Sequence, residues 1–309
     1  MRLPLRLLAV AGLAVVLAGC EDFDFGPSDR YKEDFHFNYP LSTGGKVSVE
    51  NFNGSIDIAG WEQNTVEIDG TKYASSEAVL NDIKIDVTAA PDAVRIRTVQ
   101  PIGIHSSMGA RYSIRVPRGA TLERVSSSNG SLHVDDIQAS AQLRTSNGSI
   151  RATRINGDLD ARTSNGSIEA REGSGARYLH TSNGRIDAEA GKGVVEAGTS
   201  NGSIHVLLTQ PDPDHAVRLE SSNGSVDLTM DAAREVRATT SNSSITIHMP
   251  ADSNAHLKAH TSNSSISSDF DVNVHGGELS KHRLEGDIGK GGPLVDLATS
   301  NGSIKILKR

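Results

Sequence analysis

A short motif, Ser-Asn-Gly-Ser followed by an aliphatic residue, recurs along the second half of the chain at a fixed spacing. Its asparagines are 18 residues apart through five consecutive copies. These copies contain the pairs Asn129–Gly130, Asn147–Gly148, Asn165–Gly166, Asn183–Gly184 and Asn201–Gly202. Looser copies follow at Asn223, Asn242, Asn263 and Asn301, and an early copy stands at Asn53. A constant period over this many units indicates a repeat protein in which each unit packs on its neighbours.

Each unit contains two short segments in which apolar and polar residues alternate. In the unit 146–163, Ile150 and Ala152 alternate with polar residues after the first turn, and Leu159 and Ala161 do so after a second turn. Alternation with a period of two is typical of strands with one buried face. The same positions recur from unit to unit as Leu132, Ile150, Ile168, Ile186, Ile204 and as Leu143, Ala161, Leu179, Ala197. We therefore predict an all-β protein, a β-solenoid with coils of about 18–22 residues stacked about 4.8 Å apart.

The motif itself is interpreted as a structural turn. A threonine precedes the Ser-Asn pair in most copies, and a strand-like period of two would place this Thr and the Asn on the same, inward face. Stacked asparagines would then hydrogen-bond from coil to coil, and the glycine would supply a positive φ at the corner. A hairpin with an Asn-Gly turn is the competing interpretation and is also all-β.

Composition supports a thin core and excludes one class of partner. Aromatic residues make up 4% of the chain and the AVILMFWYC group 36%, which favours a narrow core of aliphatic side chains. The net charge of −7 and the pI near 5.9 argue against nucleic acid, because binding it requires clustered Lys and Arg.

The N-terminus predicts export and lipidation. Arg2 and Arg6 precede an apolar stretch over residues 7–17 that is too short to span a membrane. The stretch ends in Leu-Ala-Gly-Cys, which resembles the lipobox cleaved by the bacterial lipoprotein signal peptidase. Residues 1–19 are thus predicted to be a lipoprotein signal peptide, and Cys20, the only cysteine, to carry the lipid (palmitate) that anchors the protein to a membrane. An ordinary secretory peptide is the alternative. Glu21, which is not Asp, favours the outer membrane over the inner.

The rest of the chain divides into three predicted regions. Residues 20–40 are interpreted as a lipid-anchored tether and cap, residues 41–125 as an N-terminal β region, and residues 126–309 as the repeat solenoid. The N-terminal β region contains longer alternating segments with a turn at Pro91–Asp92, and both degenerate coils and a β-meander fit it. A short helix is predicted near residues 75–81.

Several of these segments together resemble a known family. The run over residues 44–56, Trp61, the strand over residues 112–117 and the Ser-Asn-Gly-Ser-Ile series resemble the bacterial "putative adhesin" family of β-strand-repeat proteins, over roughly residues 40–309. The resemblance implies a β-solenoid in a cell-envelope setting and transfers no catalytic residues.

Two classes of function fit the sequence. The first is a non-enzymatic, adhesin-like or scaffold module of the envelope that binds a glycan or a surface protein. The alternative is a polysaccharide-active or polysaccharide-binding β-helix, whose chemistry requires two converging carboxylates. Asp135 and Asp136 are adjacent and should point to opposite faces of a strand, whereas Asp158 and Asp160 share a face. A solvated, non-catalytic role is predicted for all four.

Metal binding is the third class considered. His248, His256 and His260 are close in sequence. The pattern of this segment predicts a strand, however, and the segment contains no cysteine. We predict that they are surface histidines, with no metal and no cofactor.

The period makes a prediction about deletions. Removing residues 146–163 removes one whole coil and leaves its neighbours in register, so the shortened protein should remain folded. Removing residues 146–154 removes half a coil and should prevent folding. Far-UV circular dichroism and resistance to proteolysis measure both outcomes, and equal behaviour of the two deletions would contradict the coil register.

Overall fold

The computed structural model of the protein describes residues 29–103, 107–210, 215–274 and 280–309. These residues form 27 strands and one short helix, which confirms the all-β prediction. The N-terminal elements are β1 (Tyr31–Pro40), β2 (Lys46–Asn53), β3 (Ile56–Trp61), β4 (Thr65–Ala74), α1 (Glu77–Asp82), β5 (Lys84–Ala90), β6 (Ala93–Val99), β7 (Met108–Pro117), β8 (Thr121–Asn129) and β9 (Leu132–Ile137).

The repeat region continues with strands of mostly five to seven residues. They are β10 (Ala141–Thr145), β11 (Ile150–Asn156), β12 (Leu159–Thr163), β13 (Ile168–Ser174), β14 (Arg177–Thr181), β15 (Ile186–Ala190), β16 (Val195–Thr199), β17 (Ile204–Leu208), β18 (Val217–Ser221), β19 (Val226–Met230), β20 (Val236–Thr240) and β21 (Ile245–Met249). The C-terminal strands are β22 (Ala255–Thr261), β23 (Ile266–Ser268), β24 (Val272–Val274), β25 (Arg283–Ile288), β26 (Leu294–Thr299) and β27 (Ile304–Lys308).

The strands form two sheets, of 13 strands (sheet A) and 14 strands (sheet B). From β8 to β21, consecutive strands alternate between the sheets, so that each coil gives one strand to each. Neighbouring coils pair in parallel and in register, as Ile150 does with Leu132 on one side and Ile168 on the other. The β-solenoid prediction is confirmed. The hairpin alternative is wrong for the repeat, because the Asn147–Gly148 turn joins strands of different sheets.

The core lies between the two sheets and consists of the predicted columns. Their members are at most 1% exposed: Leu132, Ile150, Ile168, Ile186, Ile204, Leu143, Ala161, Leu179 and Ala197. The polar residues between them along each strand face outward, and many are half-buried or exposed. These columns are aliphatic, as the low aromatic content predicted.

The N-terminal region combines both of the arrangements that the sequence left open. β2 and β3 form a coil that pairs in parallel with β8 and β9, while β1, β4 and β7 pair antiparallel. β5 and β6 form an antiparallel hairpin around Pro91–Asp92. Asn53 and Asn129 are register partners although they are far apart in sequence, so the 75 residues between them are not a run of regular coils.

The C-terminal coil is inserted between two earlier ones. In sheet B, β26 lies between β20 and β22, and in sheet A, β27 lies between β21 and β23. All four of these pairings are parallel. The last coil therefore has a neighbour on each side, and the coil that precedes it in sequence lies outside it.

Buried hydroxyl groups connect each corner to the next by hydrogen bonds. Thr145 donates its Oγ1 hydrogen to the carbonyl oxygen of Gly130, 2.8 Å away, and Thr163 repeats this contact with Gly148 at 2.9 Å. The contact continues at Thr181, Thr199, Ser221, Thr240, Thr261 and Thr299. Each hydroxyl satisfies a backbone carbonyl that would otherwise lack a partner at the turn.

The asparagines form a second column, on the outside of the corner. The Nδ2 group of Asn147 donates to Oδ1 of Asn129 at 2.8 Å, and Asn165 repeats this contact with Asn147. The column runs on through Asn183, Asn201, Asn223, Asn242, Asn301 and Asn263. The nine side chains are exposed, so the prediction that Asn faces inward with Thr is wrong. Ser146 and Asn147 lie between β10 and β11, where the alternation of a strand does not apply.

The motif glycines are required by close contact between coils. Gly130, Gly148, Gly166, Gly184 and Gly202 do not have positive φ angles, so the predicted reason for them is wrong. A Cβ atom on Gly166 would lie 2.0 Å from the carbonyl oxygen of Gly148, and the other four would meet a carbonyl oxygen within 2.1 Å. The backbone of one corner thus occupies the space where a side chain of the next would stand.

This contact predicts a large effect of adding one methyl group. Gly166→Ala should destabilise the protein by about 2 kcal/mol or more, because backbone must move on both sides. Gly119→Ala is the matched control, since a Cβ there meets nothing within 4 Å and φ is not positive. The control should change stability by less than about 1 kcal/mol. Chemical denaturation measures both, and similar losses would contradict the close-contact explanation.

Candidate functional site

A groove of about 950 Å³ lies on the outer face of sheet A, near the N-terminal end of the solenoid. Strands β1, β4, β7 and β3 lie side by side there, in that order. Polar side chains from all four line the groove, among them Asp34, His36, Asp57, Asp69, Arg111 and Ser113. A concave surface with several convergent polar groups is the usual form of a ligand site.

Register places four of these residues in one row across the groove. His36 pairs with Asp69, Asp69 with Ser113, and Ser113 with Asp57. Residues opposite one another on paired strands point to the same face, so the four side chains are neighbours. The Nδ1 atom of His36 lies 2.8 Å from Oδ1 of Asp69, which fixes one end of the row.

A second row of side chains lines the opposite side of the groove. Asp34, Thr71 and Arg111 are successive register partners. The hydroxyl of Thr71 donates to Oδ1 of Asp34 at 2.7 Å. Arg111 bonds to Asp29 at 2.5 Å, and its guanidinium lies 4.6 Å from the ring centroid of Tyr73. This wall is therefore fixed by hydrogen bonds and ring contact before any ligand binds.

Asp57 is the electrostatically unusual member of the groove. Burial raises the pKa of Asp57 above its ordinary value, and the nearby His133 opposes the shift. His133 is the next residue along the same row, on β9. A partly buried carboxylate that gains no direct ion pair is costly to keep charged. Such groups are frequent at functional sites.

Three side chains beside the groove form a potential metal-ligand set. The ligand atoms of His36, Glu67 and Asp69 lie within 4.8 Å of one another, which no other group of His, Cys, Asp and Glu achieves in the part of the chain that the structure describes. One imidazole and two carboxylates are donors that divalent transition metals accept. Both carboxylates already have partners, however: Arg115 bonds to Glu67 at 2.5 Å, and His36 bonds to Asp69.

The sequence pointed to other histidines, which the structure separates. His248 lies on β21 in sheet A, whereas His256 and His260 lie on β22 in sheet B. His256 bonds through Nδ1 to Oδ1 of Asp287 at 2.8 Å. His36 gave no sequence signal, because its partners Glu67 and Asp69 come from a distant strand with no characteristic spacing.

The carboxylates that the sequence singled out are engaged in structural contacts. Asp135 forms an ion pair with Arg154, and Asp136 lies 2.8 Å from Arg118. Asp160 pairs with Arg162 at 2.7 Å. Asp158 accepts a hydrogen bond from the backbone N–H of Ala176 at 3.0 Å.

The groove does not have the order of a nucleophilic relay. That relay needs an imidazole between the hydroxyl and the carboxylate, but the row places Asp69 between His36 and Ser113. The ten Asn and Gly residues of the predicted turn motif do not line the groove. They lie in the corner columns.

Comparison with known families identifies the family to which the chain belongs. A family model described as Toastrack DUF4097 matches residues 27–307, nearly the whole chain. The chain belongs to the Toastrack DUF4097 family. No curated protein matches the sequence.

Three of the solved structures similar to this Toastrack chain share 10–13% of its sequence. One is a "putative adhesin" from Parabacteroides distasonis, 10% identical, with a TM-score of 0.45, covering 89% of this chain and 97% of that one. A second "putative adhesin", from Bacteroides fragilis, is 13% identical, with a TM-score of 0.39 and the same coverages. A "putative cell adhesion protein" from Clostridium sporogenes is 11% identical, with a TM-score of 0.22, covering 90% and 100%.

The predicted anchor lies outside the described residues. Cys20 and the signal peptide precede Asp29, the first residue that the structure describes. Among the described residues of the Toastrack chain, no helix has the length and apolar character needed to cross a membrane.

The raised pKa of Asp57 predicts a pH-dependent effect of Asp57→Asn. At low pH the carboxyl is protonated in the folded and unfolded protein, and the cost of its charge appears as pH rises through the raised folded-state pKa. Asp57→Asn should therefore raise the melting temperature at pH 7, and the gain should disappear near about pH 3.

Glu169 supplies a contrast on the same outer row. The hydrogen bond from Arg171 lowers the pKa of Glu169, against a smaller opposing effect of burial. Its charge therefore contributes stability at neutral pH that is lost as pH falls through the lowered pKa. Glu169→Gln should lower the melting temperature at pH 7 by a small amount, because ion pairs on the outer face of a sheet contribute little. Shifts of the same sign in both variants would contradict the assignment.

Proposed function

We propose that the protein is a non-enzymatic, lipid-anchored module of the bacterial envelope, adhesin-like or scaffolding, that carries binding surfaces on a rigid β-solenoid. The observation that carries the proposal is the pairing of a lipobox-like Leu-Ala-Gly-Cys at residues 17–20 with a continuous 13-stranded sheet. A sheet of 13 strands about 4.8 Å apart is roughly 60 Å long. The molecule is a short rod with a predicted anchor before its first strand.

The distance between the anchor and the rod is limited. Asp29 is nine residues further along the chain than Cys20, and a fully extended chain over nine residues spans about 30 Å. β1, which begins at Tyr31, is the edge strand of sheet A at the N-terminal end. An anchor on Cys20 therefore holds the N-terminal end and its groove near the membrane, and the far end of the rod can stand away from it. The residue after the cysteine, Glu21, favours the outer membrane.

The columns of the solenoid support a scaffold role. Hydroxyl-to-carbonyl contacts and asparagine contacts connect successive corners, and parallel pairing connects successive strands. Bending the rod would break these contacts at several coils together. The outer rows are then presented at fixed spacing, as a binding surface for an extended partner requires.

A polysaccharide-active β-helix is the second candidate, and one observation favours it. Asp57 and Asp69 flank Ser113 in the groove, and burial raises the pKa of Asp57. Glycoside hydrolysis uses two carboxyl groups, one of which must donate a proton to the leaving group. Incubating the purified protein with envelope polysaccharides and measuring reducing ends tests this candidate. Turnover abolished by Asp57→Asn would replace the non-enzymatic proposal.

The anchor proposal predicts the effect of Cys20→Ala. Without the thiol no lipid can be attached, so the protein should move from the membrane pellet to the soluble fraction. Glu21→Gln keeps the cysteine and should leave the protein in the pellet. Fractionation with immunoblotting measures both variants, and metabolic labelling with a radioactive or clickable fatty acid reports the lipid directly. An unchanged distribution or unlabelled parent protein would contradict the proposal.

A further inference from the structure

We propose that a notch on the outer face of sheet B, centred on Gly198, binds the ring of a neutral saccharide. The notch has a volume of about 420 Å³, within the usual range of small-ligand sites. It is lined by Arg162, Tyr178, His180, Glu196, Arg218 and Glu220, among others. The inference adds a ligand class to the adhesin-like function proposed above, and its test does not depend on the lipid anchor.

The notch arises because one outward row lacks a side chain. His180, Gly198 and Glu220 are successive register partners on β14, β16 and β18. The glycine leaves open the space that a side chain would fill between its two neighbours. The opening extends across adjacent coils because the parallel strands keep the row straight.

The backbone does not require glycine at this position. Gly198 lies within β16 and does not have a positive φ. A Cβ atom there would meet only the ring of His180, at 3.0 Å and 3.6 Å, which is a side chain able to move. This differs from Gly166, where a Cβ would strike backbone. The physical consequence of Gly198 is therefore the open space itself.

Tyr178 forms an apolar wall of the notch. It lies on β14 and is the register partner of Glu196. Among the described residues, large hydrophobic side chains are exposed only at Ile102, Tyr178 and Leu294. An exposed aromatic ring offers a flat apolar face together with a polar hydroxyl. One face of a hexose ring carries C–H groups that suit such a surface.

The charged groups of the notch are available for hydrogen bonding. Glu196, Arg218 and Glu220 form neither an ion pair within 4.0 Å nor a side-chain hydrogen bond with any residue that the structure describes. Elsewhere on the outer faces many such groups do pair, as Arg151 does with Glu169 at 2.9 Å. Carboxylates accept and guanidinium groups donate hydrogen bonds, so together they match sugar hydroxyls, which do both.

The charge balance favours a neutral ligand. Two arginines and two glutamates line the notch, so a ligand meets groups of both signs. Arg162 is also paired with Asp160 at 2.7 Å. A polyanionic ligand would meet two unpaired glutamates, and a cationic ligand would meet Arg218. A neutral saccharide avoids both of these repulsions.

Binding to arrayed oligosaccharides tests the inference. The full-length protein, purified in detergent, is applied to an array of neutral oligosaccharides of glucose, mannose, galactose and N-acetylglucosamine, with acidic glycans present for comparison. Calorimetric titration with the neutral oligosaccharide bound most strongly then gives the affinity. Tyr178→Ala, which removes the apolar wall, and Gly198→Leu, which fills the space, should each weaken binding by roughly tenfold or more.

Two control variants locate the site. Gln142→Ala lies in the same outward row as Tyr178, two coils away, and should bind as the parent does. Asp57→Asn alters the groove on sheet A and should also leave this binding unchanged. Weaker binding in Asp57→Asn with normal binding in Tyr178→Ala would place the saccharide in the groove and overturn the inference.

Three other outcomes also decide against the notch. They are binding to none of the neutral oligosaccharides, binding to acidic glycans alone, and parent-like affinity in both notch variants. If Gly198→Leu does not fold, by its circular dichroism and melting temperature, Glu196→Gln takes its place beside Tyr178→Ala. Failure of saccharide binding leaves the anchor proposal untouched, because fractionation of Cys20→Ala is measured separately.

Discussion

The contact between glycine backbones at successive corners, from Gly54 to Gly224, is the constraint on which most of the solenoid depends; serine takes the glycine position in the corners at Ser243 and Ser264. A corner such as Gly148 stands so close to Gly130 that no side chain fits between them. The same approach brings the carbonyl of Gly148 within reach of the buried hydroxyl of Thr163. Once the corners are at this distance, strands on both sides are at hydrogen-bonding distance as well. The aliphatic columns and the asparagine column follow from that spacing rather than setting it.

A stack of coils tends to fray from its ends, because a terminal coil has only one neighbour. This chain places its first and last coils one layer inside. β2 lies between β6 and β8, and β26 lies between β20 and β22. The outermost positions are taken by antiparallel strands at the N-terminal end and by the short strands β23 and β24 at the C-terminal end. Short edges and a coil held from both sides limit both unravelling and pairing with other chains.

The repeat period and the buried columns could be predicted, because they depend on local alternation and constant spacing. The outward direction of Asn could not, since alternation ends where Thr145 ends β10. The insertion of the last coil is visible in the sequence only once the order of strands in the sheet is known. In one inner column of sheet B, leucine and alanine alternate from each strand to its neighbour. In order of sequence this alternation fails at the C-terminal end. In spatial order it reads Leu143, Ala161, Leu179, Ala197, Leu219, Ala238, Leu297, Ala259. The groove left no such signal, because antiparallel strands without a period assemble it.

The corners and the core stabilise the fold, and the outer faces are where function can be sought. Stability comes from the corner contacts and the buried columns, so the outer rows can vary in charge without loss of the fold. Many outward charges pair across strands, as Arg151 does with Glu169 at 2.9 Å. Asp57 departs from this pattern because burial disfavours its charge. The notch at Gly198 departs because three of its charged groups, Glu196, Arg218 and Glu220, have no ion-pair partner within 4.0 Å among the described residues. The fold needs neither feature. A partly buried carboxylate and an open notch that the fold does not need are best explained by a ligand. Binding should therefore be measured first at Asp57 and at the notch.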